Sequence, residues 1–346
     1  MAKAGAVVLV VLYHVGRTGL SHLLPGSDSL VVAAWGGINE ALLPVRMPLF
    51  FLASGILAAP AMARPWARLW RPRVVNLVWP FVLWGVIHAL TAGLAHGGDD
   101  VPGHVLASLA AIPAGGTAYW YLAVLVVIFV LARLLRRAPA VLVVASVAAL
   151  GVAPLVPAAL SGAVGEAAAV NVGRVCYFAV WFLLGCFARP VVERVAALKP
   201  WPLVAASFVL YAGLAYLVYV RKLSAPPGVV LTVVGLAGAI AASVLLARSA
   251  RVRRLAAYIS RRTLAIYVVH PVLLTLAVAV VRTDDGTVLP LGSVAVDVVL
   301  APVLTVALVW LAVLAYDISS RVWMGWLFAP PARRAAGGVR STRRRA

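Results

Sequence analysis

PGVVLTVVGLAGAIAASVLLA, residues 227–247, runs its whole length without a charged side chain and stops against Arg248, with Arg251, Arg253 and Arg254 close behind. A helix of about 20 residues rises about 30 Å, the depth of a bilayer's hydrocarbon core, so the stretch reads as a membrane span ending at a basic surface. Outward from it, runs of similar length and composition recur at 4–24, 41–62, 74–96, 117–135, 140–160, 171–189, 201–220, 263–282 and 294–317. The expected fold is therefore all-α, an integral membrane bundle of about ten transmembrane helices. Prolines inside the runs (Pro48, Pro80, Pro271, Pro302) do not argue against this, because neighbouring helices can satisfy the carbonyls they free.

Composition excludes a soluble domain. With 64% hydrophobic and 12% charged residues there is too little polarity to cover a water-facing surface. The formal net charge of +20 would suggest nucleic acid in a soluble protein, but here the arginines cluster between apolar runs, which is how a membrane protein marks its cytoplasmic side. With ten spans and a cytoplasmic N-terminus, only Arg17, Arg46, Arg174, Arg221, Lys222 and Arg282 fall on or near the outer side, and the other 24 of 30 basic residues fall inside. Asp28, Glu40, Asp99, Asp100, Glu166, Asp284 and Asp285 mirror them in outer loops or at outer span ends. Both termini are then cytoplasmic. Residues 1–329 read as one polytopic domain, followed by a basic tail, 330–346, expected to be disordered. Lys3 before a short apolar stretch resembles a signal peptide, but no small-residue cleavage site follows Gly16. Cys176 and Cys186, ten residues apart on one span, are too far separated to bridge.

His14 is the first candidate for chemistry. It sits in the run from Ala4 to Val15, and a titratable group there costs about 3 kcal/mol or more unless it faces a cavity or a partner. Lys3 stands eleven residues before it, which brings both side chains to one helix face about 16 Å apart. A cation at the inner mouth and an imidazole at depth would suit a phosphate-bearing carrier from below and a hydroxyl acceptor near the ring. The same spacing suits a histidine bonded to a neighbouring helix and a lysine that only marks the inside. On spacing alone both readings stand.

Six segments taken together are more specific: KAGAVVLVVLYH (Lys3 to His14), MPLFFLASG (Met47 to Gly55), RLWRPRVVNLVWP (Arg68 to Pro80), YWYLAVL (Tyr119 to Leu125), YFAVWFLLG (Tyr177 to Gly185) and TLAIYVVHP (Thr263 to Pro271). In order and spacing they resemble the membrane acyltransferase 3 family, polytopic enzymes that move acyl groups from cytoplasmic acyl-CoA to sugars and related acceptors. The resemblance implies that Lys3 and His14 match the family's basic residue, ten residues, then catalytic histidine. Many members carry arginine at the first position and an acidic residue just before it, and this chain has neither. It also implies that Arg68 and Arg71 are the family's R-x-x-R element, where one helical turn would set both guanidinium groups on one side to grip coenzyme A phosphates. The same loop could equally be read as a marker of topology. His270 matches a family histidine, and a satisfied core role competes with a role near His14. Arg174 and Ser54 are placed as acceptor-side or pore-lining groups, with Ser54 also able to bond within its own helix, and Arg46 as a flank of the outer mouth or a snorkelling side chain.

The function so implied is transfer of an acyl group, most simply acetyl, from acyl-CoA to a hydroxyl of a carbohydrate or related acceptor, with His14 as general base or, alternatively, as a covalent acyl carrier. The expected partners are the bilayer, acyl-CoA and a glycan-like acceptor, with no nucleic acid. No metal is expected, since no HExxH or CxxC spacing occurs and His22, His88, His96 and His104 fall in loops and outer span ends. A transporter of a glycan, lipid precursor or small anion is the alternative, and a partner subunit without chemistry a third reading. Abundant Ala, Val and Arg suit a GC-rich bacterial genome and hence a multi-pass protein of a bacterial cell membrane.

Overall fold

The computed structural model describes residues 1–19, 30–96, 98, 100–221, 227–281 and 294–331. His22, Asp28, Asp99, Lys222, Arg282, Asp284, Asp285 and the tail beyond Pro331 lie outside the described residues. Every regular element among the described residues is helical.

The helices are α1 (Ala2–His14), α2 (Leu30–Ala41), α3 (Leu43–Ala58), α4 (Asn76–His96), α5 (Val101–Ala111), α6 (Trp120–Leu134), α7 (Pro139–Val152), α8 (Val156–Val164), α9 (Glu166–Phe187), α10 (Arg189–Ala197), α11 (Pro200–Ala215), α12 (Pro227–Leu246), α13 (Ala250–Arg261), α14 (Thr263–Val281) and α15 (Val294–Arg321). Among the described residues, seven helices are long and apolar enough to cross a membrane, or eight if a bent pair counts as one. The protein is thus an all-α, multi-pass membrane protein.

Three of the ten expected spans are not among these seven helices. In the run at 4–24 the described residues form a 13-residue α-helix, Ala2–His14, continued by a π-helical turn over Val15–Gly19. The run at 117–135 holds a helix of 15 residues. The run at 140–160 breaks into α7 and α8, whose axes meet at 87°. Pro154 and Pro157 account for the break, since neither has an N–H to carry the ladder through the corner.

The inner layer of the bundle is α1, α3 and α14. Leu43–Ala61 and Thr263–Val280 are 56% and 61% buried, whereas Pro200–Val220 is 6% buried and lies at the periphery. The tightest packing joins α3 to α9: a Cβ on Gly55 would run into the Phe182 carbonyl, and one on Gly185 into the Leu52 carbonyl. The two glycines of the FFLASG and YFAVWFLLG segments therefore let two backbones touch, as small residues do in membranes. Between spans lie two basic amphipathic helices, α10 and α13. On α13, Ala256 is buried while Arg251, Arg253, Arg254 and Arg261 are exposed, the pattern of a helix lying along an interface. Cys176 and Cys186 on α9 are free thiols.

Candidate active site: a histidine chamber and its polar neighbour

α1 ends at His14, and the ring opens onto a cavity of about 490 Å³. Tyr13 and His14 form one wall, Arg46 and Met47 at the start of α3 another, and Trp120, Arg174, Phe178 and Tyr267 close it from α6, α9 and α14. The α7–α8 corner supplies Ala153, Pro154 and Pro157, so the break in that run shapes the chamber.

His270, one-third of the way along α14, brings its ring to 5.1 Å from that of His14, centroid to centroid. It is fully buried, and its Nδ1 lies 2.8 Å from the Ile266 carbonyl. A carbonyl only accepts, so Nδ1 carries the proton and Nε2 presents a lone pair. That Nε2 is buried and has no hydrogen-bond partner among the described residues, a state that costs about 1–3 kcal/mol. His270 is therefore a half-satisfied core histidine beside the chamber, not a fully satisfied one. Pro271, which follows it, has no N–H to offer the Tyr267 carbonyl four residues back. The helix is held here by reciprocal bonds instead: Tyr119 donates its hydroxyl to Val268 O at 2.9 Å and Tyr267 to Ala118 O at 3.1 Å.

Two arginines furnish the chamber with positive charge. Arg46 is 2% exposed, stacks 4.1 Å over the Tyr13 ring, and donates to Asn39 O at 2.8 Å and Leu9 O at 3.3 Å. Its charge reaches His14. Arg174 stacks 4.4 Å over Trp120 and donates to Asn171 Oδ1 at 3.0 Å. On the far side of Arg174 a second cavity, of about 500 Å³, is lined by His88, Ser108, Thr117, Glu166 and Asn171.

Residues 1–317 match the acyltransferase 3 family, its domain described as an acyltransferase domain. The chain belongs to this family. The match includes the residues that line the chamber and the second cavity. No curated protein and no solved structure matches the chain.

In this acyltransferase the structure brings His14, His270 and Arg174 together and leaves the other expected site residues elsewhere. Ser54 lines neither cavity; it bonds neither to its own helix nor to the chamber but across to the Tyr121 hydroxyl, at 2.7 Å. Lys3 lies at the opposite end of α1, near enough to Arg73 for the two charges to interact. Arg68 and Arg71 do not share one α-helical turn: Arg68 closes a 3-10 turn over Trp66–Arg68 and Arg71 belongs to a π-helical turn over Trp70–Val75. Pro65 and Pro72 fall in that stretch and interrupt a regular ladder. Both arginines are exposed. Arg71 donates to Pro330 O at 3.1 Å and Pro331 O at 2.8 Å, so it is bonded to the segment that follows α15. Around it Arg73, Arg133 and Arg136 donate to the carbonyls of Leu57, Arg64 and Met62, binding up the end of α3.

His88 was missed in sequence. It lies inside α4, lines the second cavity, packs edge-on to Tyr119 at 5.9 Å and interacts electrostatically with His14 and His270. Tyr13, Trp120 and Asn171 were missed as well. Only the clustering of Tyr and Trp in YWYLAVL hinted at any of them, because neighbourhood across helices leaves no mark in local spacing.

Proposed function

We propose that this acyltransferase moves an acyl group, most simply acetyl, from cytoplasmic acyl-CoA to a hydroxyl of a carbohydrate-like acceptor, with His14 as general base. The observation that carries the reading is His14 lining a chamber shared with two arginines and backed by His270, within an acyltransferase 3 domain. The proposed topology is ten crossings with both termini cytoplasmic, counting α1 with its π turn, α6 and the bent α7–α8 pair as crossings, in a bacterial cell membrane. Lys3, Arg68 and Arg71 then face the side from which the nucleotide end of acyl-CoA arrives, with Lys3 about 16 Å along α1 from His14.

In the reaction His14 takes the proton of the acceptor hydroxyl as its oxygen attacks the thioester carbonyl. The carbonyl electrons move onto oxygen, and the guanidinium groups of Arg46 and Arg174 supply the field that stabilises the oxyanion. When the tetrahedral intermediate collapses, the C–S bond breaks, the ester forms, and the imidazolium returns its proton to the leaving thiolate. The lone pair on His270 Nε2, unpartnered and buried beside the His14 ring, is the acceptor toward which His14 turns its N–H as the acceptor hydroxyl binds, which leaves the other His14 nitrogen as the base. His270 is in this reading a positioning residue.

The decisive experiment is transfer from radiolabelled acetyl-CoA to a panel of methyl glycosides by purified protein in detergent, where transport cannot occur. Wild-type transfer with loss of about 10²-fold or more in His14→Ala, at equal yield and monodispersity, is the expected result. Undiminished transfer by His14→Ala removes the residue from the mechanism, and no transfer by either protein favours a transporter.

A further inference from the structure

We infer that the protein binds an anionic phospholipid at a fixed site under α13, with one acyl chain in a cavity between α13, α1, α3 and α12 and the headgroup phosphate held by Arg251 and Arg254. This cavity shares no lining residue with the histidine chamber, and the inference does not depend on the acyl-transfer reading.

α13 joins two spans, α12 and α14, so it lies at one face of the membrane whichever way the bundle is oriented. Against it is a cavity of about 420 Å³, a volume within the range of sites that enclose a small ligand. Val252, Leu255, Ala256 and Ile259, at helical spacings of three and four, turn the apolar stripe of α13 toward this space, and α1, α3 and α12 supply the other walls. Every described side chain that lines it is apolar except Ser243. The space stays open because small residues border it: a Cβ on Gly5 of α1 would meet nothing within 4 Å, and α12 presents Ala239 and Ala242. Such a lining offers water too few partners and favours a hydrocarbon guest.

The charge beside the cavity selects the headgroup. Leu255 lines the cavity and is still 47% exposed, so it marks the mouth. Arg251 stands four residues before Leu255 and three before Arg254, which sets all three on one side of the helix. Both arginines are exposed, and no Asp or Glu occurs anywhere from Leu246 to Arg262. Among the described residues the ion pairs are Arg189–Glu193 and Arg262–Asp317, so no carboxylate neutralises Arg251 or Arg254. Two guanidinium groups one turn apart at an apolar mouth match a phosphate whose acyl chain enters the cavity. A zwitterionic headgroup carries its own cation into the same field and is disfavoured, and a free phosphate brings no chain to fill the space. The seated chain also packs against the start of α1, the helix that ends at His14, and so stabilises the folded bundle by mass action.

The test uses the full chain purified in an uncharged detergent. It is titrated with phosphatidylglycerol, with phosphatidylcholine of the same acyl chains, and with inorganic phosphate; binding is read as lipid adducts in native mass spectrometry and as the rise in unfolding temperature. Wild type should bind phosphatidylglycerol about tenfold or more tighter than phosphatidylcholine and should not respond to phosphate at the same concentrations. Arg251→Gln/Arg254→Gln should bring phosphatidylglycerol down to the phosphatidylcholine level, whereas Arg137→Gln/Arg194→Gln, which removes two exposed charges elsewhere, should keep the preference. Ala242→Phe, which fills the cavity and leaves both arginines in place, should weaken phosphatidylglycerol about tenfold or more; Gly5→Leu fills it from α1 and takes over if Ala242→Phe is not monodisperse. Equal affinity for the two lipids overturns the inference. So does phosphatidylglycerol binding that the α13 pair leaves intact, that the control pair weakens as much, that inorganic phosphate reproduces, or that a filled cavity does not change. The arginine pair is exposed and decides the question even if neither cavity variant folds.

Discussion

His270 and His14 pose the question at the scale of the residue. One bond, from Nδ1 to the Ile266 carbonyl, settles the tautomer of His270 and leaves an acceptor pointing into a buried space shared with a second imidazole. If that acceptor orients His14, replacement by glutamine, whose side-chain oxygen also accepts, should preserve more activity than replacement by leucine, which matches volume. We expect His270→Leu to lower kcat about tenfold or more, equivalent to about 1.4 kcal/mol, with KM for acetyl-CoA unchanged, and His270→Gln to recover part of it. A purely packing role predicts the reverse order, so steady-state kinetics of the pair decides. His14 and His270 were both legible as candidates from their apolar surroundings. His88 was not, because its place in the 74–96 run says nothing of which helix it faces.

At the scale of the element, the contact of α3 with α9 depends on two glycines that touch the opposing backbone. Gly55→Val or Gly185→Val should cost about 1–3 kcal/mol or more through overpacking that neither backbone can relieve, seen as loss of the monodisperse peak in size-exclusion chromatography. The packing of the two glycine-bearing motifs is thus explained by distance and not by chemistry. The end of α15 is held differently: Asp317 accepts from Arg262 Nε at 2.8 Å and from the Tyr258 hydroxyl at 2.9 Å, joining α15 to α13. The Asp317 carboxylate holds the Arg262 guanidinium above the usual arginine range. Arg262→Gln should lower stability by an amount on the order of 1 kcal/mol, with the acyl-transfer rate unaffected, read by thermal unfolding in detergent beside the transferase assay. Sequence placed Arg262 correctly among basic residues at a span end, yet had no means of pairing it with an aspartate 55 residues away.

At the scale of the whole molecule, the proposed orientation makes a sharp prediction. In a background with Cys176 and Cys186 changed to serine, a cysteine at position 166 should react with a membrane-impermeant maleimide in intact cells, and one at position 68 only after permeabilisation. The opposite pattern reverses the topology and with it the entry side of acyl-CoA. The hydropathy profile alone determined that the chain is a helical membrane bundle, because backbone groups in hydrocarbon must bond within their own segment and leave a run of about 20 apolar residues as the trace. It also marked His14 as out of place in such a run. What only the tertiary structure decided is which polar groups share a space: that His270 meets His14, that Ser54 turns to Tyr121, that Arg71 bonds to the carbonyls of Pro330 and Pro331, and that a second, polar cavity adjoins the first. The reason is physical. Insertion is governed by each segment's own transfer from water to lipid, whereas a site is assembled by contacts between segments far apart in the chain, set by small residues, prolines and bonds across helices.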